Sequence, residues 1–241
     1  MTRSNKGDVA SGNNNQLYPM MLESPQLRWA FIRKVYSILC IQMLLTTAVA
    51  ATVVFVRPIP NFFTQTAAGL AVYIVICILP PILLCPLYYC RKRHPWNFFV
   101  LMLFTVSMSF AVGLACAFTK GRIILEAAIL TCVAVVSLTL YTFWAVKRGK
   151  DFSFLGPFLF ASLLVLIVFG LIQIFIPLGK IFVMIYSGLA SLIFCGFLVY
   201  DTDDMIKRYS YDDYIWAAAS LYLDVFNIFL SLLNLLDAAD S

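Results

Sequence analysis

Seven uninterrupted apolar stretches, each near the length that a bilayer demands, leave this chain little choice of fold. They run approximately Ile38–Val56, Thr66–Tyr89, Asn97–Phe118, Ile124–Val146, Ser153–Ile176, Gly179–Tyr200 and Tyr214–Leu236. About 20 helical residues cross roughly 30 Å of hydrocarbon. Backbone amides and carbonyls find no water there, so runs of this kind pair internally as helices. Hydrophobic residues make up 62% of the 241 and charged ones 12%, more apolar surface than a soluble domain of this length can hide. The expected class is an all-α integral membrane protein with seven transmembrane helices. The connections are short apart from the thirteen residues 201–213, so residues 28–241 are read as one membrane domain.

Residues 1–27 differ in kind. Ser4-Asn5-Lys6-Gly7 and Asn13-Asn14-Asn15 are polar and aperiodic, which predicts a flexible tail. The tail has no short apolar core followed by a small-residue cleavage site, and a removable signal peptide is not expected. Orientation follows from the basic residues. Thirteen of the seventeen fall in the tail and in the second, fourth and sixth loops: Arg3, Lys6, Arg28, Arg33, Lys34, Arg91, Lys92, Arg93, Lys147, Arg148, Lys150, Lys207 and Arg208. The positive-inside rule then puts the N-terminus in the cytosol and the C-terminus across the membrane. That orientation argues against a G-protein-coupled receptor, whose N-terminus lies outside. Topology also accounts for the net charge of +5, and no nucleic-acid partner is expected; the partner implied is the lipid bilayer. Seven cysteines without a CxxC pair, and one histidine, His94, give no disulfide framework, metal site or cofactor to expect.

The chemistry is concentrated in two acids. Asp224 lies near the centre of the last span, where a charge costs at least about 2.5 kcal/mol. Ser220, Asp224, Asn227, Ser231 and Asn234 recur at intervals of four, three, four and three, which lines them along one helical face. Such a stripe faces a cavity, or it joins helices through hydrogen bonds contributing about 0.6 to 2 kcal/mol each. Asp201 closes the preceding span, where the plainer reading is a solvated helix end. Arg91 ends the second span on the same side, so an Asp201–Arg91 ion pair is allowed by topology, although spacing does not say whether the helices touch.

If Asp201 and Asp224 converge, a low dielectric resists charging both, and one proton is retained towards neutral pH. Ionised, the pair attracts a hard cation. Calcium takes six to eight oxygens, so two acids with Asn and Ser oxygens suit transit better than storage. Glu126, two residues into the fourth span, is either an ion-entry group or a side chain reaching the headgroups. Pro80-Pro81 removes two backbone donors midway along the second span and predicts a kink.

Four stretches make the chain resemble the Bax inhibitor motif-containing transmembrane family, and within it the lifeguard branch. They are Phe31-Ile32-Arg33-Lys34-Val35-Tyr36, Leu125-Glu126-Ala127, Tyr200-Asp201-Thr202 and Leu221-Tyr222-Leu223-Asp224-Val225-Phe226-Asn227-Ile228-Phe229. The similarity runs from Arg28 to Leu236, and the last stretch is its most specific part. The resemblance implies a last helix enclosed by the other six. It also implies suppression of cell death and a pH-sensitive calcium leak from intracellular stores. In the bacterial branch an aspartate pair senses pH, and its positions match Asp201 and Asp224. A basic residue at the end of the second helix pairs with the first aspartate there; it maps to Arg91, with Lys92 and Arg93 as register-shifted alternatives. The family association favours the endoplasmic reticulum or another internal membrane. The tail does not resemble the long Pro-rich tails of some lifeguard members.

Three functions follow as expectations. The first is a calcium leak gated by the Asp201–Asp224 pair. The second is a non-conducting scaffold that suppresses cell death through membrane partners. The third, an intramembrane aspartyl protease, fails on sequence, because Asp224 follows Leu221-Tyr222-Leu223 instead of a Gly-x-Gly motif. No enzymatic activity is expected.

Overall fold

Helix ends are set by local chemistry before packing begins. In a computed structural model, which describes residues 25–56, 58–176 and 179–240, helix α1 spans Pro25–Phe55. It starts on proline, which lacks an amide donor and suits a first helical turn. A short helix α2, Pro58–Gln65, follows, and again begins on proline. Helix α3, Ala67–Cys90, is capped by Thr66, whose hydroxyl accepts from the Gly69 amide at 2.9 Å. It continues through Pro80, Pro81 and Pro86 as one helix.

Then come α4 (Trp96–Ala117), α5 (Gly121–Lys147), α6 (Leu155–Phe175), α7 (Lys180–Lys207) and α8 (Tyr214–Asp240), with a 3₁₀ turn at Tyr211–Asp213. The end of α5 shows why glycine is needed there. Gly149 takes φ of 74°, and the amides of Gly149 and Lys150 return to the carbonyls of Val146 and Ala145. Those two bonds close a Schellman turn and satisfy carbonyls that the helix leaves open.

Seven of the described helices are long and apolar enough to cross a membrane: all except α2. Their outward faces carry large exposed side chains such as Phe55, Val133, Leu140 and Phe175, as lipid requires. Hydroxyls on those faces donate to their own helix. Thr47 reaches the Met43 carbonyl, Thr52 that of Ala48 and Ser162 that of Phe158, each at 2.9 Å. Lipid offers them no partner, so the backbone does.

Helices α4 and α8 bury the largest shares of their length. Helix α8 packs against α7 most extensively, and also against α1, α4 and α5. Helix α1 lies close on α4, where a Cβ on Gly113 would stand 2.8 Å from the Val53 Cβ. Glycine is what allows that approach.

Two features depart from the sequence reading. The stretch between the first two spans holds α2, an eight-residue helix, where a plain connection was expected. The sixth span does not stop at Asp201: α7 runs on to Lys207 and shortens the expected thirteen-residue connection. No glycine or proline interrupts residues 197–207. Acid-to-base pairs four residues apart, Asp203–Lys207 at 2.6 Å and Asp204–Arg208 at 3.1 Å, support that last stretch. Of the expected tail, residues 1–24 lie outside the described residues, and residues 25–27 belong to α1.

Candidate functional site

Helical rotation sorts the acids of α7 onto different faces. Each residue turns the helix by about 100°, so Asp203 points away from the side that carries Asp201, while Asp204 stays within about 60° of it. Asp201 accordingly faces α8, with Ser220 beside it. One turn further along α8 lies Asp224, 5% exposed, with its Oδ2 free of any hydrogen-bond partner among the described residues. The charge that bears on Asp224 is that of Asp201. Asp204 stands beside Asp201, and Cys195 of α7 beside Asp224.

Tyr209, between α7 and α8, closes this group against Trp216 and Ser220. Burial first, then the Asp201 and Asp204 carboxylates, hold its phenol well above the ordinary value. Tyr209 is therefore a neutral donor through the physiological range. Two carboxylates, a serine and a neutral phenol thus meet where α7 and α8 pack.

Arg91 is elsewhere. Its Nε pairs with Asp213 Oδ1 at 3.1 Å, not with Asp201. The reason is local: Asp213 is fixed by Ser210, whose hydroxyl donates to Asp213 Oδ2 at 2.6 Å while the Asp213 amide returns to the Ser210 carbonyl at 3.0 Å. That capping box aims the second carboxylate oxygen at the end of α3. Arg91 also stacks on Tyr88, 4.3 Å from its ring centre, and Tyr88 meets Trp216 of α8 edge-on at 5.1 Å. Of the register-shifted alternatives, Arg93 lies 5.1 Å over the Tyr89 ring and Lys92 is exposed.

The polar stripe of α8 divides. Ser220, Asn227 and Ser231 donate to the carbonyls of Ala217, Leu223 and Ile228 on their own helix. Asn234 is exposed. Glu126 pairs with Arg122 at 2.8 Å on the surface of α5.

Sequence reasoning missed the polar contacts that join helices in the interior. The Tyr222 hydroxyl shares a hydrogen bond with the Thr46 hydroxyl at 2.8 Å, and Ser109 donates to Thr46 at 3.1 Å. Gln42 donates to Thr105 at 2.9 Å. These contacts tie α8 to α1 and α1 to α4. Also missed was the ion pair behind α7, in which Lys207 and Asp203 are 7% and 0% exposed. Lys207 donates to the Lys150 carbonyl at 2.7 Å and lies 3.3 Å from Asp151, while the Phe152 amide donates to Asp203 at 3.4 Å. The four-residue spacing of Asp203 and Lys207 was the available signal.

Comparison with known proteins agrees with this architecture. The family model described as "Inhibitor of apoptosis-promoting Bax1" matches residues 28–241. Protein LIFEGUARD 4 of Arabidopsis thaliana is 64% identical over 238 residues, covering 98% of this chain and 96% of that protein. Protein LIFEGUARD 2 of the same plant is 65% identical over 236 residues, 98% of each chain. The Golgi anti-apoptotic protein of Vaccinia virus (strain Lister) is 38% identical over 218 residues, 90% of this chain and 89% of its own length. With the family model spanning the whole membrane domain, this multi-pass membrane protein belongs to the Bax inhibitor family, in its lifeguard branch.

Proposed function

We propose that this protein restrains cell death as a pH-sensitive leak for calcium ions, with Asp201 and Asp224 as the sensor. The observation that carries the reading is Asp224: a carboxylate buried in an apolar helix, one oxygen unpartnered, facing a second acid. Intramembrane acids that face the bundle interior mark ion and proton pathways. Proton exchange at the pair changes the charge held between α7 and α8, and so biases how those helices pack. Carboxylate and hydroxyl oxygens are the ligand type that calcium prefers, and too few meet here for tight binding.

The groups that would modulate the pair are Asp204, Tyr209 and Cys195. Helix α8 serves as the central helix of the bundle, and Arg91–Asp213 as the latch that holds α3 to its start. The names of the relatives connect the reading to cell death, and the viral relative's name connects it to an internal membrane. The N-terminus lies in the cytosol, on the strength of the basic residues at one end of the bundle.

A scaffold reading has its own support. Three members of the α8 stripe donate to their own backbone, which is how polar groups behave when they line no water path. Calcium flux through the purified protein in liposomes, between about pH 5 and 8, separates the two. The leak predicts a pH-dependent flux that Asp201→Asn and Asp224→Asn both alter. Folded protein that passes no calcium at any pH would leave the scaffold.

A further inference from the structure

With Arg91 engaged by Asp213, a cation that serves the acid pair has to come from elsewhere. Helical spacing supplies one. Asp204 follows Asp201 by three residues, close to one turn of α7, and Arg208 follows Asp204 by four. The Arg208 Nη1 lies 3.1 Å from Asp204 Oδ1, with side-chain exposures of 32% and 13%. The backbone fixes the two against each other, because the amides of Arg208 and Tyr209 both donate to the Asp204 carbonyl, at 2.8 and 3.2 Å. Tyr200, one turn earlier, stands beside both Asp204 and Arg208. Its hydroxyl is 3.2 Å from the place a Cβ on Gly156 of α6 would take.

The other charged and titratable groups around Asp204 are Asp203 on its own helix, Asp151 from the turn before α6, and Tyr209. Asp203 and Asp151 share Lys207 on another face of α7. Helix α8 presents Asp224, with Cys195 of α7 beside it, and α1 presents Tyr36 beside Thr202. Asp204 therefore places a negative charge one turn from Asp201, and Arg208 is the cation held against it. A carboxylate so little exposed is weakly screened, and its charge opposes ionisation of neighbouring acids. A guanidinium in contact cancels most of that field and stays charged at every physiological pH.

We infer that Arg208 sets the pH range of the Asp201–Asp224 sensor by offsetting the charge of Asp204, a task that Arg91 does not perform. The inference rests on the reading of that pair as a sensor. Loss of the cation alone leaves the pair beside an uncompensated acid, and its proton is held to higher pH. Loss of Asp204 alone leaves the cation in excess, and the proton departs at lower pH. Arg208 is thus a positioning residue, acting through Asp204 on the acids that titrate.

The test follows calcium flux through the full chain in liposomes from about pH 5 to 8, and beside it the infrared band of protonated carboxyl groups in detergent. Asp201→Asn and Asp224→Asn identify the part of that band that belongs to the pair. Arg208→Gln should raise the midpoint by roughly half to one pH unit, and Asp204→Asn should lower it by a similar amount. Arg208→Lys should keep the wild-type midpoint, and so should the double variant Arg208→Gln with Asp204→Asn. Arg91→Gln should leave it in place. A purely structural role for Arg208 predicts loss of folded protein without these opposite shifts. An unmoved midpoint in folded Arg208→Gln would overturn the inference, as would an equal shift in Arg91→Gln. Where Arg208→Gln fails to fold, an unmoved midpoint in Asp204→Asn overturns it instead. Absence of calcium flux in the wild type removes the leak, while the infrared titration still decides the role of Arg208. A pair whose band does not titrate in folded protein overturns both.

Discussion

The two ends of the bundle are both held by ion pairs, yet the pairs are of different kinds. At the basic end, Lys207–Asp203 is sealed from solvent and Arg91–Asp213 is mostly covered, with side-chain exposures of 26% and 12%. Lys34 there sits 3.3 Å over the Tyr214 ring, whose hydroxyl lies 2.7 Å from the His94 Nε2. At the opposite end, Lys120 pairs with Asp240 and Arg122 with Glu126, at exposures of 71%, 49%, 86% and 43%. Covered pairs fix geometry, because removing one partner strands the other charge. Exposed pairs exchange with water and are screened by salt. One end of the bundle is therefore wired, and the other is loosely tied.

Breaking the wired end should have the largest effect. Lys207→Met leaves Asp203 buried without its cation, at a cost of about 3 to 5 kcal/mol in unfolding free energy, read by thermal unfolding in detergent. Adding Asp203→Leu should recover most of that loss, since a packed apolar pair replaces a packed ionic one. A shift in Lys207→Met no larger than at the opposite end would break the comparison.

The next effect separates two partners for Arg91. A double-mutant cycle of Arg91→Gln with Asp213→Asn should show coupling of about 1.5 kcal/mol, near the lower bound for hydrogen bonds to charged groups. The cycle of Arg91→Gln with Asp201→Asn should show coupling near zero. Equal coupling in both would restore Asp201 as the partner.

The smallest effect belongs to the exposed end. Lys120→Gln should leave the unfolding temperature unchanged at ordinary salt, because Lys120 and Asp240 both stand in water. A clear loss there would show that the far end is also wired.

What the sequence disclosed follows the same division between local and long-range information. Seven spans were legible because bilayer thickness imposes a length that one chain segment must meet alone. Asp224 stood out in the sequence, since a carboxylate in an apolar run needs a reason, while its approach to Asp201 depends on how α7 and α8 pack. Topology allowed Arg91 to pair with Asp201, and the structure pairs it with Asp213. The connection after α7 holds several acids, and only the capping box at Ser210 makes Asp213 the one aimed at α3. Tyr222 and Thr46 were invisible as partners, because they are 176 residues apart and spacing does not report which helices touch. Asp203 and Lys207 carried a visible four-residue signal, but burial is a property of the α5–α6 turn that covers them.

Helix α6 has a different standing from its six long neighbours. Its broad packing is against α7, where Leu159 lies over Gly196, Tyr200 over Gly156 and Tyr186 stacks on Phe169 at 5.6 Å. During insertion, then, α6 has little to recognise until α7 has emerged beside it. The two are best seen as a hairpin delivered together, and the Lys207 contact with the turn before α6 registers that hairpin against the rest of the bundle. A defect in α6 would thus surface first in biogenesis, as material lost to quality control, before any change in the packing of α7 on α8.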